Sequence, residues 1–138
     1  MGIKIKGFEH ISWAAPTPDQ LAKTLAVFGF EPTLTEEIHS QGVLTTYYLH
    51  PNGLRFEIIR PLTKSSQLTR VLEKRGPGLH HICFQVESLQ ETCDEVARLG
   101  WELVGEQFED SRGRHAFVHP LSTGGLLIGL IQLHPGLS

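Results

Sequence analysis

The hydrophobic pattern of the chain switches between a two-residue and a helical period, twice and in the same order. Phe8 to Ala15 alternates bulky apolar residues with small or polar ones, the mark of a half-buried strand. Thr17-Pro18-Asp19 then reads as a helix start, with Thr17 as N-cap and Pro18 in the first turn. Leu21, Leu25 and Phe28 keep helical spacing, and Gly29 is a natural stop. Three strands are expected next, near 32–38, 43–50 and 54–59, with Pro51-Asn52-Gly53 turning the last two. The second half repeats this order. A strand near 80–86 leads to a helix capped by Ser88, with Glu91 three residues on, and Gly100 ends it. Strands follow near 102–107, 114–119 and 126–133. A short helix over 66–74 is expected between the halves, and 109–113 reads as a polar, flexible loop.

The two halves also align residue by residue. Phe8 to Glu31 and Leu79 to Glu102 match without a gap at an offset of 71. His10 falls on His81, Leu25 on Val96 and Gly29 on Gly100, and His50-Pro51 has a counterpart in His119-Pro120. The chain therefore reads as a single α+β domain, 1–138, of two tandem βαβββ modules: module 1 about 6–60, connector 61–78, module 2 about 79–134.

Strand alternation sorts the side chains. His10, Ser12 and Ala14 share one face of the first strand; Ile11, Trp13 and Ala15 share the other and should pack under their helix. His81, Cys83 and Gln85 share the matching face of the repeat. Glu57 stands between bulky Phe56 and Ile58, so it points to the opposite side from them. A lone strand histidine is usually structural and a lone glutamate usually solvated or ion-paired. Two histidines at equivalent repeat positions with such a glutamate form a candidate metal set, His10, Glu57 and His81, suited to divalent first-row ions. His50, His80, His115 and His119 read as structural or surface residues, and Cys83 as a small buried one.

Composition narrows the classes. Net charge is −3, with neither a basic excess nor an acidic tail, so nucleic acid is not an expected partner. The longest apolar run, Leu126 to Leu133, is far too short for a bilayer, and the first ten residues lack an apolar signal core. Two cysteines make no disulfide framework, and the cytoplasm is the expected compartment.

The stretches EHISWAA, FEIIRPL, LEKRGPGLHHICFQV and FVHPLSTGGLLIGL resemble the vicinal oxygen chelate superfamily of glyoxalases, bleomycin-resistance proteins and extradiol dioxygenases. The likeness is greatest to its methylmalonyl-CoA epimerases. It implies a cup-shaped mixed sheet around a divalent metal (Zn, Co, Ni or Mn ahead of Fe) and a small-molecule ligand, and it points to a homodimer. It also implies that the metal ligands are His10, Glu57, His81 and position 129. Two positions depart from the pattern. Gly129 stands where the family usually has a glutamate that is both ligand and base, and Ser40 stands where epimerases carry a glutamate before Gln41-Gly42-Val43.

The resemblance, taken with these residues, implies three alternative functions. The first is a metal-dependent lyase, isomerase or epimerase acting on a small 2-oxo or acyl-thioester compound, its base supplied from elsewhere, with His39 and Cys83 as candidates. The second is a non-catalytic ligand-binding or resistance-type protein. The third is a non-haem Fe(II) dioxygenase, to which a two-histidine, one-carboxylate face is suited. Gly129 is expected to enlarge the cavity where the fourth ligand is missing.

Overall fold

A computed structural model describes residues 2–138. In chain order the elements are β1 (Gly7–Ala14), α1 (Asp19–Val27), β2 (Glu31–Ile38), a 3₁₀ turn (His39–Gln41), β3 (Val43–Leu49), β4 (Arg55–Pro61) and α2 (Gln67–Arg75). Then come β5 (Gly78–Gln85), α3 (Leu89–Arg98), β6 (Leu103–Glu109), β7 (Gly113–Val118), α4 (Pro120–Thr123) and β8 (Ile128–Leu133). The doubled βαβββ order read from the sequence is therefore present, in a mixed α+β fold of eight strands. Among the described residues no helix is long and apolar enough to cross a membrane.

The chain folds as two compact units. One is His10–His80; the other joins the described residues up to Glu9 to His81–Ser138. In the first, the strand order is β2-β3-β4-β1. β4 runs antiparallel to β3 and parallel to β1, with Ser12 opposite Glu57. Trp13, Ala15, Tyr48 and Ile58 meet Leu21, Leu25 and Phe30 in its core, so the bulky face of β1 lies under α1 as alternation predicts. In the second unit the order is β5-β8-β7-β6. Val86, Ala116, Val118 and Leu130 pack against Leu89, Cys93 and Val96 of α3.

Helix starts differ in detail. Ser88 caps α3 as expected, its hydroxyl accepting from the Glu91 N–H at 3.2 Å. α1 begins at Asp19 rather than beside Thr17. Pro18 takes helical angles (φ −78°, ψ −7°) and occupies the cap position without a side-chain bond. Both His-Pro sites act as caps in their own right. His50 Nδ1 accepts from Asn52 N–H and His119 Nδ1 from Leu121 N–H, each at 3.1 Å. The second of these starts α4, a turn of helix that the sequence pattern does not signal.

The segment 109–113 is not a flexible loop. The Asp110 carboxylate accepts from the N–H groups of Arg112 (2.9 Å) and Gly113 (3.1 Å), and the Asp110 carbonyl meets His134 Nε2 at 2.9 Å. Arg112 reaches back to Glu9 with two hydrogen bonds, Nε to Oε2 at 3.1 Å and Nη2 to Oε1 at 2.9 Å. His115 is buried, stacked on Phe108 at 4.6 Å, with Nε2 2.8 Å from Asp110 Oδ2. A run of polar residues in sequence thus closes over the Arg112–Glu9 ion pair and the buried His115–Asp110 contact.

Candidate metal centre

In the unit His10–His80, β1 and β4 lie side by side and set two polar side chains on one face. His10 Nε2 is 3.4 Å from Glu57 Oε1, and both side chains are more than nine-tenths buried. Such groups are costly to bury without strong partners. Ser12, two residues along from His10 and directly across from Glu57, is fully buried. Its hydroxyl has no hydrogen-bond partner among the described residues. The charge of Glu57 also reaches His80: burial lowers the His80 pKa, the Glu57 carboxylate opposes that, and Arg75 adds to it.

In the other unit, β5 presents His81, which is buried, its ring centre 4.8 Å from that of Phe117 in a T-shaped arrangement. β8 runs beside β5 with Gly129 opposite Cys83, and β7 places Phe117 opposite Gly129. A Cβ added at Gly129 would meet Phe117 Cε1 at 3.2 Å, Cys83 Sγ at 3.3 Å and His81 Cδ2 at 3.4 Å. The expected cavity is therefore not there. The ring of Phe117, the Cys83 thiol and the imidazole of His81 crowd the place a Cβ at 129 would take.

His10 and Glu57 in the one unit, and His81 in the other, are each buried side chains of a kind that ligates metal. Two imidazoles and one carboxylate suit a divalent first-row ion. The orphaned hydroxyl of Ser12 on the His10–Glu57 face is a further unmet polar atom that an ion and its water ligands would satisfy. On the chemistry of the donors and on that orphan, the residues fit a metal.

The two candidate bases stand elsewhere. His39 lies exposed on the 3₁₀ turn, its Nε2 3.1 Å from Glu37 Oε2. Cys83 is fully buried beneath Gly129, its thiol directed at the Phe84 carbonyl 3.9 Å away. The sequence reading passed over a half-buried pair on β2 and β3: the Tyr47 hydroxyl donates to Glu36 Oε1 at 2.5 Å. Its signal was available in the alternation of β3, which sets Tyr47 and Thr45 on one side and Tyr48 on the other.

The sequence model of the Glyoxalase/Bleomycin resistance protein/Dioxygenase superfamily matches residues 9–118. The ethylmalonyl-CoA/methylmalonyl-CoA epimerase of Cereibacter sphaeroides is 28% identical over 130 residues, covering 90% of this chain and 96% of the relative. The crystal structure of methylmalonyl-CoA epimerase from Mycobacterium tuberculosis superposes with a TM-score of 0.89 at 26% identity, covering 98% of this chain and 93% of that one. A variant of the Streptomyces coelicolor methylmalonyl-CoA epimerase, in complex with 2-nitronate-propionyl-CoA, gives a TM-score of 0.84 at 25% identity, covering 94% and 99%. The fold is thus the glyoxalase-like fold of those epimerase structures.

Proposed function

Because the chain belongs to the glyoxalase, bleomycin resistance protein and dioxygenase superfamily, we propose that it is a metal-dependent lyase, isomerase or epimerase of small 2-oxo or acyl-thioester compounds. His10, Glu57 and His81 hold the ion, and the buried pairing of His10 with Glu57 at 3.4 Å, beside the orphaned Ser12 hydroxyl, is the observation that carries this reading. A divalent ion bound there supplies Lewis acidity to a substrate carbonyl and favours the enolate that follows loss of an α-proton. The chain's own part is to present three ligands from rigid strands and leave positions open to two substrate oxygens. Burial of all three ligands keeps water from competing for that charge. The name of the Cereibacter relative supports a coenzyme A thioester as the first substrate to try. The cytoplasm and a homodimer are part of the proposal. Leu103 and Val104, exposed on β6, which is terminal in its strand order, support self-association.

A second reading, a binding protein without catalysis, is favoured by the closure of Phe117 over Gly129 and the serine at position 40. A dioxygenase is the weakest fit. Those enzymes usually take their carboxylate from the second module, where Gly129 stands.

Metal analysis of the purified protein, paired with proton exchange at the α-carbon of methylmalonyl-CoA in D₂O, separates the readings. The proposal expects one divalent ion per chain, lost in His81→Ala, and solvent deuterium in the substrate. Bound metal with no exchange leaves the binding reading. A protein that takes up no divalent ion ends the metal reading altogether.

A further inference from the structure

With neither usual carboxylate present, the proton chemistry needs another group, and β2 holds one. The ladder pairs Glu36 with Thr45, and Tyr47 with Glu57. Residues opposite one another in a sheet share a face, as do residues two apart along a strand. Glu36, Thr45, Tyr47 and Glu57 therefore stand on one face, which Ser12 joins across from Glu57. Tyr47 sits directly over from Glu57 on the next strand, and its hydroxyl bonds Glu36 Oε1 at 2.5 Å. Glu36 is half-buried while its β2 neighbours Thr35 and Glu37 are exposed. Two strand spacings across and two residues along separate the backbones of Glu36 and Glu57, about 12 Å.

We infer that Glu36 is the base of this site, positioned by Tyr47. The inference rests on the metal-dependent reading given above. In the step it performs, the Glu36 carboxylate takes the α-hydrogen of the substrate as a proton. The electron pair of the broken C–H bond stays with the substrate as its enolate, the charge resting on the carbonyl oxygen. Glu36, now a carboxylic acid, returns a proton to the same carbon. Tyr47 O–H, donating to Oε1, fixes the carboxylate in position. With one base on one side of the carbon, the reaction is exchange of the α-hydrogen without inversion, whereas an epimerase needs a second group on the opposite side.

The test uses full-length protein loaded with Co(II) or Zn(II) and methylmalonyl-CoA in D₂O. Wild type should incorporate deuterium with retention at the α-carbon. Glu36→Gln should lower the exchange rate by about 10²–10⁴-fold with metal stoichiometry unchanged. Tyr47→Phe should lower kcat for exchange while leaving KM unchanged, since the phenol orients the carboxylate and does not bind substrate. A readout independent of turnover is paramagnetic broadening on Mn(II) addition. The Tyr47 ring resonances should broaden before those of Tyr48, which lies on the core face of the same strand. Exchange at the wild-type rate in Glu36→Gln, inversion by wild type, or broadening of Tyr48 ahead of Tyr47 would each overturn the assignment of Glu36 and leave the metal-dependent reading standing. Bound metal without exchange in wild type overturns both together.

Discussion

Replacing Gly129 by glutamate restores the ligand the family usually carries, and the surroundings of the glycine set what this should cost. A Cβ at 129 arrives 3.2 Å from Phe117, 3.3 Å from Cys83 and 3.4 Å from His81. Carbon contacts are most favourable at about 3.5–4.0 Å, so each neighbour must yield by a few tenths of an ångström. Overpacking of that kind costs about 1–3 kcal/mol. Gly129→Ala isolates that cost. In Gly129→Glu the carboxylate adds its own desolvation when no ion is bound. For a chain of this size about 1 kcal/mol moves Tm by roughly 4 °C. Metal-free Gly129→Ala should therefore melt about 4–12 °C below wild type, and Gly129→Glu lower still. With metal the order changes. A fourth ligand that reaches the ion should tighten binding at least about tenfold, or about 1.4 kcal/mol. Saturating metal should then raise the Tm of Gly129→Glu by several degrees more than that of wild type. Adding Phe117→Leu, which frees part of the occupied space, should enlarge the affinity gain. Scanning calorimetry with and without Zn(II), together with competition titration for Kd, measures both effects. An unchanged metal-free Tm refutes the packing argument. An unchanged Kd in the double variant refutes the placement of residue 129 beside the ion.

Other outcomes follow from the buried charges. Arg112→Ala removes both hydrogen bonds to the buried Glu9 carboxylate and should cost about 3–5 kcal/mol in urea unfolding; a loss under about 1 kcal/mol refutes the role given to that pair. Burial alone would raise the Asp110 pKa, but contact with His115 and the N–H groups of Arg112 and Gly113 outweigh it, and the net shift is down. A depressed folded pKa contributes stability present above the unfolded value, about 3.9, and lost as pH falls through the folded one. Asp110→Asn should therefore flatten the stability curve below about pH 4, and a curve as steep as wild type contradicts this. Ser12→Ala deletes a buried hydroxyl that has no partner among the described residues. Metal-free stability should hold or rise, while metal affinity falls if the hydroxyl serves a bound water. A clear loss of metal-free stability would show that the hydroxyl is already satisfied.

Much of the fold is legible because it depends on local pattern. Period-two alternation places Trp13 and Ala15 under α1 and turns His10 and Ser12 away from it, and the ladder agrees. Ser88 with Glu91 specifies a helix start through atoms three residues apart. Even the candidate ligands come from short-range information, since a repeat converts one strand's facing into a statement about its partner. The failures are of another kind. Asp110 and Arg112 look solvated in sequence because Glu9, which Arg112 binds, is 103 residues away. The one local clue is an aspartate three residues before a glycine, in the manner of an Asx turn.

Gly129 shows why residue identity alone misleads about space. Deleting a side chain predicts a hole only if the neighbours stay in place, and protein interiors close such holes where side chains can move. Phe117 can close this one because β7 sets it opposite Gly129, on the face that carries His81. Had a small residue stood at 117, the same glycine would have left a cavity. Glu36 follows the same logic in reverse. In sequence it is one of two adjacent glutamates on a polar strand, with nothing to choose between them. The register of β3 separates them: Glu36 pairs with Thr45, on the side of Tyr47, whereas Glu37 pairs with Leu44, on the other. A one-residue slip of β2 would exchange their faces, so the chemistry assigned to Glu36 depends on that register as much as on the carboxylate.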